Sequence, residues 1–214
     1  MPDDLMSRFA FGNHLASLPP AANAGVVVRE RTDYALAMVI ARRGREAALA
    51  ARLADSDIEL PMTPKRKANG ALAYLGVGPG RWLVTCDSAD NANTWATGLA
   101  RDLASLASVT DQSDGYAVIE VGGARARATL AKGVTVDLHP RAFRAGDVAV
   151  TQIAHIGAIL WQLDDRPAYE IAMFRSLAGS FWHWLSASAA EFGMATMARR
   201  GERQEFERAP IHHR

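Results

Sequence analysis

From Val26 onward apolar residues recur at two spacings, and the chain changes element where the spacing changes. The stretch VVVRERTDYALAMVIARRG, residues 26–44, holds two strand-like runs joined by a polar turn at Arg31 to Asp33. The second run places Tyr34, Leu36, Met38 and Ile40 on one face. In REAALAARLA, Ala and Leu fall three and four apart, which predicts a short amphipathic helix. The proline-bearing DIELPMTPKRKANG then ends it as a polar loop.

AYLGVGPGRWLVTCD, residues 73–87, sets three glycines around Pro79 between two apolar runs. Gly76 and Gly78 fit the first two places of a dinucleotide-binding loop, but the third falls on Arg81. A phosphate loop fails too, since no Lys-Ser or Lys-Thr pair follows and Pro79 lacks an amide proton. Trp82, Val84 and Cys86 alternate with Leu83 and Thr85, so the glycines read as a hairpin turn between strands.

SADNANTWATGLARDLASLAS offers Ser88 or Asp90 as a helix cap and strings Trp95, Leu99, Leu103 and Leu106 along one helical stripe. A similar rhythm follows: YAVIEVGG as a strand, ARARATLAKG as a helix, VAVTQIAHIGAILWQLDD as a hairpin, AYEIAMFR as a strand, SLAGSFWHWLSASAAEFG as a closing helix. No residue-level repeat links the two series. The expected fold is α+β, two intertwined units of antiparallel sheet with helices packed on one face of each. The expected domain spans residues 26–192, with halves of about 26–110 and 111–192. Residues 1–25, with SLPPAANAG, read as an extended N-terminal arm, and residues 193–214 as a charged C-terminal tail.

Charge narrows the partners. Lys and Arg total 24 against 23 Asp and Glu, a net charge of +1, which argues against nucleic acid as a partner. No uninterrupted apolar run reaches the roughly 20 residues of a membrane helix, and Asp3 and Asp4 stand where a secretory leader carries positive charge. With Cys86 the single cysteine, a reducing cytoplasmic setting is expected.

Candidate chemistry is sparse. The six histidines lack the i, i+4 pairing of a helical zinc site, and Cys86 shares a strand face with Trp82 and Val84 as a packed thiol would. In DLHPRAF, Asp137 and His139 pair on paper as acid and base, but Pro140 makes a turn the plainer reading, with Phe143 anchored inward. The aromatic FWHWL, residues 181–185, suits a core or a subunit interface equally.

Four stretches carry a likeness: LGVGPGRWLV, DQSDGYAVIEVGGARARATLAKG, VDLHPRAFRAGDVAVTQIAHIGAILWQ and AYEIAMFRSLAGSFWHWL. Their order of Asp-Leu-His-Pro, Phe143, Gly146, Thr151, Gly157 and Phe174-Arg175-Ser176 ahead of a Trp-rich helix resembles the gamma subunit family of heterotetrameric sarcosine oxidase. The resemblance implies a bacterial complex that oxidatively demethylates sarcosine to glycine, making hydrogen peroxide and, with tetrahydrofolate, methylenetetrahydrofolate. It implies that alpha, beta and delta subunits are partners and that NAD, FAD, FMN, zinc and the folate site belong to those chains, with no cofactor, metal or catalytic residue in this one.

The resemblance also implies the aminomethyltransferase folate-binding fold, in which Asp-x-Ser leads a strand ending at glycine, as Asp111, Ser113 and Gly122 do. Those transferases carry acidic residues after a glycine turn where this chain reads Gly157-Ala158-Ile159-Leu160-Trp161. Leu and Trp cannot transfer a proton, so a noncatalytic, assembling role is expected. Phe9 and Phe11 on the arm, with Trp161, Arg175, Trp182 and Trp184, are the expected interface side chains. The isolated chain is expected to self-associate. Two alternatives stay open: a folate-binding enzyme whose catalytic group moved to Asp137 or Asp164, and the equivalent subunit of another N-methyl amine oxidase.

Overall fold

The structure, a computed structural model, describes residues 9–19, 24–87 and 92–196. The expected caps Ser88 and Asp90 and the tail beyond Thr196 lie outside the described residues. The first part of the chain runs α1 (Gly12–Leu15), β1 (Val26–Glu30), β2 (Tyr34–Ala41), α2 (Glu46–Ala54), β3 (Arg66–Asn69), β4 (Leu72–Gly78) and β5 (Arg81–Asp87). It continues through α3 (Ala92–Asp102), β6 (Ala107–Asp111), β7 (Tyr116–Gly122), α4 (Ala126–Leu130), β8 (Val148–Ile153), β9 (Ile156–Gln162), β10 (Tyr169–Phe174), α5 (Ala178–Ala189) and β11 (Met194–Thr196).

Two sheets result. Six strands line up as β11-β1-β7-β10-β9-β8 and five as β3-β4-β5-β2-β6, antiparallel throughout except where β1 runs parallel to β11. The sheets face each other across Leu36, Leu75, Leu83, Val118, Val148, Ile159, Trp161 and Ala172. Beyond the six-stranded sheet, α4 and α5 bury Leu130, Phe181 and Leu185 against Ile119, Leu160 and Ile171. Beyond the five-stranded sheet, α2 and α3 cover Val39, Tyr74, Trp82 and Val84. The order is therefore helices, sheet, sheet, helices, the α+β architecture expected. Strands buried on both faces read as continuous apolar runs, and YLGV, WLVTC and AILW do so for that reason.

Four local expectations change. β1 and β2 do not pair with each other; the chain leaves one sheet at Arg31 and enters the other at Tyr34, because Arg31 is buried as a charge link between the sheets instead of solvated in a turn. The helix expected up to Ser108 stops at Asp102, and Ala107–Asp111, with β-branched Val109 and Thr110, takes the free edge of β2. The polar loop before the hairpin contributes β3 at its end. Residues 9–19 are not an extended arm: Phe11 is fully buried, with Leu15 and Leu18 packed on the same core.

The glycine hairpin turns the chain as expected. Gly80 takes φ +64°, and a Cβ on Gly76 would meet the Thr63 carbonyl oxygen at 2.2 Å. That close approach lets the Trp82 indole donate to the Pro61 carbonyl at 2.7 Å.

Candidate functional site

Along the layer between the sheets, the two ends differ in chemistry. At one end a single row crosses the six-stranded sheet: Arg29 pairs in register with Glu120, Glu120 with Glu170, and Glu170 with Trp161. Two carboxylates side by side repel, and each is answered by its own arginine, Arg29 on Glu120 and Arg31 on Glu170. The Glu170 side chain has no exposed surface and Arg31 only 3%. Glu170 also accepts from the Trp161 indole at 2.8 Å and from the Tyr34 hydroxyl at 3.0 Å, which fills its lone pairs. Arg31 completes its fork on Asp33 at 2.8 and 3.1 Å and on Asp87 at 2.9 Å, its guanidinium 3.5 Å over the Tyr34 ring.

The electrostatics follow from this burial. Burial raises the Glu170 carboxyl above its ordinary range, and Arg31 counters without cancelling that effect. For Arg31 burial works against the charge, but Asp33 and Glu170 outweigh it and hold the guanidinium protonated. Burial and the Glu170 charge push the Tyr34 phenol upward, so it serves as a fixed donor. Apart from the buried Arg29 Nε, which has no hydrogen-bond partner among the described residues, these side chains engage one another, and the arrangement joins the two sheets.

At the opposite end the layer opens as an apolar groove of about 320 Å3. Met38, Ile40, Val77, Tyr116, Ile159 and Phe174 line it, with Arg81 and Val150 among its walls. Ile40, Val150 and Phe174 are 38%, 61% and 54% exposed, an unusual concentration of bare apolar surface.

The residues singled out as an interface separate in the structure. Phe9, at 51% exposure, and the half-buried Arg175 reach the surface beside a polar cavity that also holds Glu30 and Ser113. Phe11 and Trp161 are fully buried and Trp182 is 8% exposed, so their contacts are within the chain. Phe11 meets Phe181 edge-on at 6.4 Å, and His14 stacks on Trp182 at 5.2 Å. Trp184 is half-buried against Gly133 and Phe181. The aromatic cluster receives the chain's own N-terminal residues, which the carboxylate of Glu30 holds through the amides of Ala10 at 2.7 Å and Phe11 at 3.1 Å.

The alternative catalytic carboxylates are spent on local turns. Asp137 accepts from the His139 amide at 2.8 Å, and Asp164 pairs with Arg166. Cys86 is buried and its thiol is pushed upward by that burial. Among the described residues no group of three or more His, Cys, Asp or Glu side chains is placed to hold a metal ion, and no helix is long and apolar enough to cross a membrane. Sequence reasoning missed the Arg31 cluster and the groove; the signal for the first was a carboxylate inside each of two apolar strands, VIEVG and YEIAM.

Comparison with known proteins gives a consistent picture. The pattern of the sarcosine oxidase, gamma subunit family matches residues 20–191. Sarcosine oxidase subunit gamma of an Arthrobacter species is 28% identical over 193 residues, 86% of this chain and 91% of that protein. The subunit gamma of Corynebacterium sp. strain U-96 is 27% identical over 208 residues, 92% of this chain and 98% of that one. A chain in the heterotetrameric sarcosine oxidase of Corynebacterium sp. U-96, solved in complex with pyrrole 2-carboxylate, superposes with a TM-score of 0.75 at 25% identity, covering 90% of this chain and 99% of that one. Aminomethyltransferase T of the glycine cleavage system from Bartonella henselae shares the fold at TM-score 0.59 and 13% identity, 88% of this chain lying over 50% of that one. The matched family pattern takes in all of β1 to α5, from the strand that carries Arg29 to the helix that carries Trp184, and the chain belongs to the sarcosine oxidase gamma subunit family.

Proposed function

We propose that this chain is the noncatalytic gamma subunit of a heterotetrameric sarcosine oxidase, supporting assembly of the chains that oxidatively demethylate sarcosine. The observation that carries this reading is the superposition on a chain of such a heterotetramer over 99% of that chain's length. The interior supports it. Leu160 points into the helix-side core and Trp161 into the layer between the sheets, both with no exposed surface. These are the positions at which the resemblance to the transferases implies acidic residues, and neither side chain can transfer a proton as a carboxylate does.

On this reading alpha, beta and delta subunits are the partners, and NAD, FAD, FMN, zinc and tetrahydrofolate are handled by them. Gamma contributes surface and rigidity, and the buried Arg31 cluster keeps its two sheets in one relative position.

Affinity purification of the tagged chain from its own source, with mass analysis and a flavin spectrum, tests the proposal. A yellow complex of about four chains that consumes oxygen with sarcosine is the expected result. A colourless chain recovered alone overturns it. Titration of the purified chain with tetrahydrofolate is expected to show no saturation; saturable micromolar binding would establish the folate-binding alternative instead.

A further inference from the structure

The apolar groove lies against a sheet edge whose backbone is incompletely paired. β8 is the last strand of the six-stranded sheet, and its hydrogen bonds to β9 alternate with groups that face outward. Val148 sends its amide outward to the Pro64 carbonyl at 3.0 Å, and the Gln152 carbonyl accepts from the Thr135 amide at 3.3 Å. Val150, midway between them, faces outward by the same period of two. Among the described residues its amide and carbonyl have no hydrogen-bond partner. Its side chain, 61% exposed, is a wall of the groove. The edge is thus closed at both ends and open for about three residues, beside the groove.

One charge distinguishes the occupant. Arg81 lies at the groove exposed, with no ion-pair partner among the described residues, while the other lining residues are uncharged. A backbone edge, an apolar slot and a single cation together match a polypeptide in extended form, with an apolar side chain for the slot and a carboxylate for Arg81.

Resting on the gamma-subunit reading, we infer that a short extended segment of another subunit adds to the outer edge of β8 at Val150. Its apolar side chain fills the groove between Ile40 and Phe174, and an acidic side chain or chain-end carboxylate pairs with Arg81. The backbone supplies the alignment and the groove the selectivity.

Hydrogen exchange of the assembled complex and of the free full-length chain tests this directly. The Val150 amide is expected to exchange quickly in the free chain and to be protected in the complex. Three variants give the second readout: Val150→Pro, which removes the outward amide but none of the bonds to β9; Ile40→Lys; and Arg81→Glu. Each is expected to weaken capture of the other subunits by about tenfold or more, with melting of the free chain close to wild type. An equally rapid Val150 exchange in free and assembled states overturns the assignment. So does unchanged capture by Ile40→Lys and Arg81→Glu, two exposed positions that remain informative should Val150→Pro fold poorly. If the wild-type chain assembles and Val150 stays unprotected, only the groove assignment falls; if the wild type captures no subunit, the gamma-subunit reading falls and this inference with it.

Discussion

A carboxylate in the middle of an apolar strand is costly unless a cation meets it, and Glu120 and Glu170 dictate the positions of Arg29 and Arg31 in that way. Removing Arg31 leaves Glu170 buried without a cation, whereas removing the Glu170 charge leaves Arg31 on Asp33 and Asp87. Arg31→Met is expected to cost about 3–5 kcal/mol in denaturant unfolding, Glu170→Gln less, and the double variant less than their sum. The pH dependence has a definite sign. Because burial holds the Glu170 carboxyl above its ordinary value of 4.5, the folded chain keeps a proton that the unfolded chain has lost. Its contribution to stability is therefore complete below 4.5 and declines as pH rises through the folded value, a decline that Glu170→Gln should abolish. Arg31 also shows where the sequence misleads: between two strand-like runs, RTD has the composition of a solvated turn, and only the distant glutamate explains its burial. Trp161 misleads in the opposite sense, since a bulky aromatic near a glycine turn suits an interface as well as an interior.

At the scale of elements, the strands were legible wherever apolar residues ran together, and the glycine hairpin was legible from its turn chemistry. Less legible were the pieces held by distant partners. β6 follows a helix without a break in apolar spacing, and only the free edge of β2 makes it a strand. The N-terminal residues looked like an arm because Phe11 and Leu15 are too few to show a period; Glu30 and the aromatic helix α5 fold them back. Replacing Glu30 by Ala should release amides 10 and 11, cost about 1–3 kcal/mol, and open the segment to limited proteolysis. Within the hairpin, Gly76→Ala should lose about 1–3 kcal/mol because the new methyl meets a backbone oxygen. Gly78→Ala, whose Cβ would meet only the Arg81 Cδ at 3.9 Å, should fall within about 0.5 kcal/mol of wild type in the same melts.

For the whole molecule, the four-layer order was legible as a repeated rhythm of strands and helices, whereas the groove was not, since no local pattern tells that Ile40, Val150 and Phe174 converge. That convergence predicts behaviour: the isolated chain should self-associate in light-scattering measurements, and Ile40→Lys should shift it toward monomer. The parallel pairing of β1 with β11 has a different consequence. β1 is made early, yet its neighbours in the sheet begin at Tyr116 and Met194, and the Thr196 amide reaches back to the Pro19 carbonyl. On the ribosome Val26–Glu30 must wait unpaired until Tyr116–Gly122 has been made, and its other edge stays open until Met194–Thr196 follows. The five-stranded sheet, whose strands all lie between Tyr34 and Asp111, can close meanwhile, so synthesis order makes it the template on which the second sheet is laid.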